Sequence, residues 1–324
     1  MGELQSIGTW WMWAGFGVFV LAMLAIDMFA LGRKGAQKVG VREALIWSLV
    51  WFSLAMLFGA ALWGWLDHTS GREVADARAM EYLTGYLLEK TLAMDNIFVF
   101  VMIFSYFAVP LEYQKRVLVY GVLGAIVLRA LMILLGAWLI AEFHWVLYVF
   151  GAFLLITGIK MFIFSEHEPD LAKNPLLKWL RSHMRITDKY HGDKFWILDK
   201  GVRWFTPMFL VLVLIEFSDV IFAMDSIPAI FAITNDPFIV FTSNIFAILG
   251  LRALYFLLAD MAERFHLLKY GLAVVLMFIG TKMLIVEWFK IPVAVSLGVV
   301  VAVLGTSMLL SLIATRKVNT VTKD

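Results

Sequence analysis

Apolar residues along this chain come in unbroken runs rather than in the one-face periodicity of a half-buried helix. Nine runs stand out, near 9–31, 44–66, 83–107, 117–141, 144–164, 207–233, 238–259, 268–287 and 292–315. A helix of roughly 20 residues crosses a hydrocarbon core, so each run is long enough to span a bilayer. The pattern predicts an all-α, polytopic membrane protein with about nine transmembrane helices, forming one transmembrane domain over 1–324. The first run is not expected to be a cleaved signal: no basic residue precedes it, and its basic cluster follows it.

One polar connection, 165–205, is long enough to fold by itself. Asn174-Pro175 predicts an N-cap and first position of a short helix. Leu176, Leu177, Leu180 and Met184 would form its apolar face and Lys178, Arg181 and Arg185 its basic one, as in a helix lying on a membrane surface. Residues 195–198 and 202–205, around Asp199-Lys200-Gly201, predict a hairpin. His167, His183 and His191 are read as solvated loop residues, with metal or pH sensing as the other reading. Thr206-Pro207 opens the next run as cap and first position.

Composition sharpens the class. Of 324 residues 62% are apolar and only 16% charged, against about a quarter charged in soluble domains. There are no cysteines, which excludes disulfides, thiolate metal sites and cysteine nucleophiles. Lys and Arg outside the runs fall nineteen on one side and three on the other, the three being Arg72, Arg78 and Lys290. With nine crossings, that bias places the N-terminus outside and the C-terminus in the cytoplasm.

The chain repeats itself. EKTLAMDNI begins at Glu89 and DVIFAMDSI at Asp219; Leu-Arg-Ala-Leu recurs around Arg129 and Arg252. Tyr148 precedes Lys160 by twelve residues, and Tyr270 precedes Lys282 by the same distance. Runs 3–5 therefore return as runs 6–8, in halves of about 81–165 and 206–288. A block of three helices reverses direction, so the second copy is inverted, an arrangement that in transporters places the site at the repeat interface.

Charges sit inside these runs: Asp27, Glu89, Asp95, Glu216, Asp219 and Asp225 against Lys90, Arg129, Lys160, Arg252 and Lys282. Each costs about 3 kcal/mol at a helix centre on insertion scales, so they are expected to face one another or water. Structural ion pairing is one reading, and it suits the recurring bases Arg129, Arg252, Lys160 and Lys282 as counter-charges or gates, with Lys90 beside them. Five of the six acids lie in two helices, however, and Glu216 and Asp219 share a face. At about 1.5 Å per residue, these acids overlap near mid-membrane. Asp27 either extends an ion path or snorkels to the interface.

A straight helix turns about 240° between Glu89 and Asp95, so a shared site predicts local unwinding. Pro228 crowds the Met224 carbonyl and predicts a kink or break there. Carboxylates with Asn96, Ser226 and a freed carbonyl make a hard-oxygen set suited to Mg²⁺, Ca²⁺ or Mn²⁺. Thioether ligation by Met94 or Met224 would favour Mn²⁺; packing is the other role for them. Clustered acids would also accept protons for the return of the empty site.

TGYLLEKTLAMDN (84–96), IEFSDVIFAMDSIPAIFAIT (215–234) and TSNIFAILGLRALYF (242–256) resemble the TerC family of bacterial membrane proteins, closest to its Alx-type branch, over about residues 9–315. The resemblance implies a manganese exporter of the inner membrane, with Glu89, Asp95, Glu216, Asp219 and Asp225 as the metal-binding pocket. It implies no enzyme activity and no resident cofactor, Mn²⁺ being cargo; the expected partners are a divalent ion and membrane lipid, not nucleic acid. Methionine before each aspartate departs from the family's aliphatic residue, and nothing resembles a tellurite-handling site. Two other classes are set beside this one. An intramembrane aspartyl protease would need a Gly-x-Gly-Asp stretch, which is missing. A scaffold in an envelope-stress or tellurium-resistance complex leaves the acids unexplained.

Overall fold

A computed structural model describes residues 6–32, 40–143, 145–163, 174–258 and 267–321, without the side chains of 27–32, 95, 98, 312 and 314–321. Asp27 and Asp95 thus lie on described backbone with side chains outside the described set, and His167 lies outside it altogether.

The helices are α1 (Trp10–Gly32), α2 (Val41–Ser70), α3 (Arg72–Tyr106), α4 (Leu111–Glu142), α5 (Val146–Ile163), α6 (Pro175–His183), α7 (Pro207–Phe231), α8 (Pro237–Leu249), α9 (Leu251–Leu258), α10 (Leu268–Leu284) and α11 (Val293–Val321), with strands β1 (Trp196–Asp199) and β2 (Val202–Phe205) between α6 and α7. A helix or helix pair lies at each of the nine predicted runs. Among the described residues, five helices (α2, α4, α5, α7 and most of α11) are long and apolar enough to cross a membrane, or six with α8–α9 as one bent span. The apolar part of α1, Trp10–Ile26, and all of α10 are shorter than a standard span, and α3 is interrupted by the charges it brings inward.

Two expectations about helix geometry are corrected. α7 runs unbroken through Pro228; the proline still lacks the N–H that would bond the Met224 carbonyl, and the helix absorbs that one missing bond without breaking. α3 is also continuous through Glu89 and Asp95, so no unwinding brings those positions onto one face. The break falls instead in the seventh predicted run, where α8 and α9 meet at 41° around Gly250. The equivalent position before the other Leu-Arg-Ala-Leu is Val127, inside an uninterrupted α4. A β-carbon at 250 would come within 2.5 Å of Lys90 Nζ and 3.3 Å of Trp51 Cβ, so glycine is needed there for room.

α5 and α10 meet through glycines. A β-carbon at Gly158 would lie 2.9 Å from both Ala273 O and Met277 N; one at Gly280 would lie 2.7 Å from Gly151 O and 2.6 Å from Leu155 N. Adding 122 to Gly158, Gly151 and Leu155 gives Gly280, Ala273 and Met277. Each contact thus has a reciprocal partner, the pattern of a self-complementary interface. Small residues permit this approach, which in lipid is driven by packing.

The 174–206 segment folds as its sequence predicts. The Asn174 side chain accepts from Leu176 N and Leu177 N, with Pro175 at the first position. Positive φ at Lys200 and Gly201 makes a primed two-residue turn. The helix does not lie with its apolar face on lipid, however. Leu177 and Leu180 are buried, and Leu176 and Met184 partly so, in the cluster formed by Ile103, Phe104, Met208, Leu210 and Val211. Its apolar face closes the end of the bundle. Tyr190 anchors the segment by donating to Phe107 O at 2.7 Å, and Arg116 pairs with Asp193 at 2.5 Å. Burial pushes the Tyr190 phenol up to about 12. His183 is exposed and bonded to Ser182 and the Trp179 carbonyl; His191 is exposed.

Candidate metal-ion site

Three helices bring one base and two acids together at mid-depth. Glu89 is halfway along α3, Arg129 past the middle of α4 and Asp219 at the middle of α7. Their exposures are 1%, 1% and 3%. Arg129 offers its guanidinium edge to Asp219, with Nη2 donating to Oδ1 at 3.0 Å and Nε to Oδ2 at 3.2 Å. This is the bidentate fork that suits arginine and not lysine. Nη1 donates to Glu89 Oε1, and also to Ser226 Oγ at 3.2 Å. The two carboxylates and the guanidinium form one buried unit across α3, α4 and α7.

Among the described residues several buried polar atoms lack hydrogen-bond partners: Glu89 Oε2 within the triad, Glu216 Oε2 one turn away on α7, and, elsewhere in the bundle, both amide atoms of Asn96 and of Asn244 and Ser48 Oγ. Buried polar groups are ordinarily paired, so the two carboxylate oxygens are free to hold something polar. Glu216 lies on α7 one turn before Asp219 and faces α4 at Gly124, where a β-carbon would collide with its carboxylate. Asp225 is half-buried, with Thr157 of α5 placed to donate to it. A cavity of about 10 Å³, the room of one water, is lined by Asp219, Arg252, Gly121, Ala125 and Leu251 among others.

The other predicted residues divide. Lys90 is half-buried and donates to Ala247 O at 3.3 Å. Its ammonium thus meets the carbonyl end of α8, the negative pole of that helix. Lys282 is buried and donates to Ser296 Oγ at 3.0 Å, with Glu81 as its nearby charge, so it stands apart from the triad. Lys160 is exposed three residues from the end of α5, which corrects its expected place in the interior; so near a helix end its ammonium can reach the interface. Met224 is 51% exposed, five residues along α7 from Asp219 and so about 140° round the helix from it. Met94 packs in the apolar cluster around Leu88 and Leu276.

Among the described residues, no group of three or more His, Asp or Glu side chains is close enough to hold a metal. Glu89 and Asp219 meet through Arg129 and Glu216 lies one turn from Asp219, whereas Asp225, nearly two turns beyond Asp219, is turned toward Thr157 of α5 and is not brought into the triad. Sequence reasoning missed Thr157, Gly124, Asn244 and Gly250. Thr157 directly precedes the Gly-Ile-Lys-Met motif, and Gly250 directly precedes Leu-Arg-Ala-Leu, so motif edges carried some signal. Gly124 and Asn244 carried none, since each matters only through what another helix places beside it.

Comparison with known proteins places these residues in a wider group. Residues 74–319 match the profile of the "Integral membrane protein TerC family". The chain is 58% identical over 308 residues to a protein of Escherichia coli (strain K12) described as "Putative membrane-bound redox modulator Alx", covering 95% of this chain and 96% of that one. A Shigella flexneri protein of the same description matches to the same extent. An "Uncharacterized membrane protein STKORF319" of Myxococcus xanthus is 47% identical over 324 residues, covering 100% of this chain and 99% of that one. No solved structure matches.

Proposed function

The chain belongs to the TerC family of integral membrane proteins, in its Alx-type branch, and from that premise we propose that it exports a divalent cation, manganese, across the bacterial inner membrane. The observation that carries the reading is the burial of Glu89 and Asp219, drawn from equivalent positions of two repeated motifs onto one point between helices. Intramembrane acids that face the bundle interior mark ion pathways. The unpartnered Glu89 and Glu216 oxygens supply hard donors there, and the Asn96 amide a further one on α3. Asp95 and Asp225, each six residues further on in the two copies, complete the proposed donor set.

The carrier works by alternating access between the halves 81–165 and 206–288. The reciprocal α5–α10 contacts support an inverted pair related by an in-plane axis. Nine crossings, with N-terminus outside and C-terminus in the cytoplasm, follow the lysine and arginine bias. Nothing in this role requires an enzyme activity or a resident cofactor.

The test is total cell manganese after a manganese load, in cells making the wild type, Asp95→Asn or Asp225→Asn. Lower manganese with the wild type alone supports export through these acids. Equal manganese in all three removes the proposal and turns attention to a scaffold role, with the folded 174–206 segment as docking surface. The E. coli relative's description speaks of redox; a chain with no cysteine cannot act by thiol–disulfide exchange.

A further inference from the structure

We propose that Arg129 is a tethered counter-cation: its guanidinium competes with the transported ion for Glu89 and Asp219, and holds both acids while the unloaded carrier returns. The inference rests on the transport reading above and adds the device that resets it.

Any ion that binds Glu89 and Asp219 together must take them from Arg129. The guanidinium commits three nitrogens, two to Asp219 and one to Glu89 and Ser226, in a site almost closed to solvent. A triad built only for stability would be expected to satisfy its own atoms. Here Glu89 Oε2 is left without a partner, so the acids are held but not saturated.

The turns beneath the arginine are lined by small residues. A helical side chain lies back over the turns preceding its own α-carbon, and on α4 those turns carry Ala125, Gly124 and Gly121. Ala125 and Gly121 line the small cavity that also touches Asp219. Charge clustering alone predicts protons as the returning cation. Arg129 supplies one already in place, bound to the protein and always charged.

A tethered counter-ion separates two modes of transport. Net efflux needs the unloaded carrier to return; exchange of an internal for an external ion does not. The experiment uses the full chain in proteoliposomes loaded with radioactive manganese, diluted into medium with or without cold manganese. Wild type should release label in both. Arg129→Gln should lose net efflux at least about ten-fold while exchange stays within a few-fold, and its half-saturating manganese should fall, because a competitor has been removed. Arg129→Lys keeps a charge without the fork, and serves if the Gln variant does not fold. It should retain slower net efflux with a lower half-saturating manganese. Net efflux undiminished in Arg129→Gln, exchange lost along with efflux in a folded variant, or an unchanged half-saturation in Arg129→Lys would each overturn the proposal. So would wild-type net efflux that requires an opposing proton gradient. No label movement by wild type in either medium would instead remove the transport reading itself.

Discussion

Glu89 and Asp219 stand at the same place in two repeated motifs, 130 residues apart, and hold opposite sides of one guanidinium. Two acids that each cost free energy in lipid thereby become a single buried unit. Its energetics are asymmetric. Removing one acid leaves the arginine paired; removing the arginine leaves two uncompensated carboxylates. Arg129→Ala should therefore destabilise by about 3–5 kcal/mol, the cost of breaking a buried pair, and Glu89→Gln by distinctly less. Thermal unfolding of the purified protein in detergent gives the order, and a Glu89→Gln loss as large as that of Arg129→Ala would contradict the triad.

Glu216 depends on a missing side chain opposite. Gly124→Ala would drive a methyl group into its carboxylate, and overpacking of this kind costs about 1–3 kcal/mol. Manganese efflux should fall with it. Shortening the acid as well, in Gly124→Ala with Glu216→Ala, should recover the stability but not the efflux. Stability that stays low in the double variant would place the clash elsewhere.

The α5–α10 contact makes a sharper steric prediction. At Gly280 the nearest atoms to a new β-carbon are backbone, Leu155 N and Gly151 O, which cannot swing aside. Gly280→Ala should abolish recovery of monodisperse protein, whereas Gly305→Ala, with nothing within 4 Å, should leave it unchanged. Size-exclusion profiles of the two variants decide.

Thr157 of α5 is placed to donate to Asp225 of α7. Thr157→Val keeps the shape and removes the donor, so efflux should drop a few-fold while Thr157→Ser preserves it. Asp225→Asn should abolish efflux. A fully active Thr157→Val variant would show that the hydrogen bond is incidental.

Outside the spans, Tyr190 ties the 174–206 segment to the end of α3. Its phenol donates while neutral, and burial raises its folded value from 10 to about 12. A raised folded pKa means the contribution is whole below pH 10 and is lost as pH climbs through about 12. Tyr190→Phe should loosen the segment by about 1 kcal/mol near neutrality, seen as faster tryptic cleavage at its basic residues. The difference between wild type and variant should shrink above pH 10 and vanish near 12, read with a protease active in alkali.

The sequence by itself determined the class, the helix positions and the hairpin, because each depends on neighbours along the chain. Runs of apolar residues, Asn174-Pro175 and Lys200-Gly201 act locally, and the structure honours each; Thr206 takes the N-cap position before Pro207, but its hydroxyl donates to Lys194 O instead of capping the helix. It also determined the family and the candidate acids, through two copies of one motif. The tertiary structure alone decided which charges meet. Arg129 and Arg252 have the same local sequence, yet Arg129 bridges Glu89 and Asp219 while Arg252 lines the cavity on Asp219's other flank. Met94 and Met224 share a motif, yet one is packed in a core and the other points outward. Helical phase relative to other helices makes these differences, and no residue's immediate neighbours encode it. The break at Gly250 rather than Pro228 has the same origin. A proline removes one intrahelical bond, which α7 absorbs, whereas Gly250 sits where α8 and α9 part and leaves room for a lysine that the chain delivers from α3.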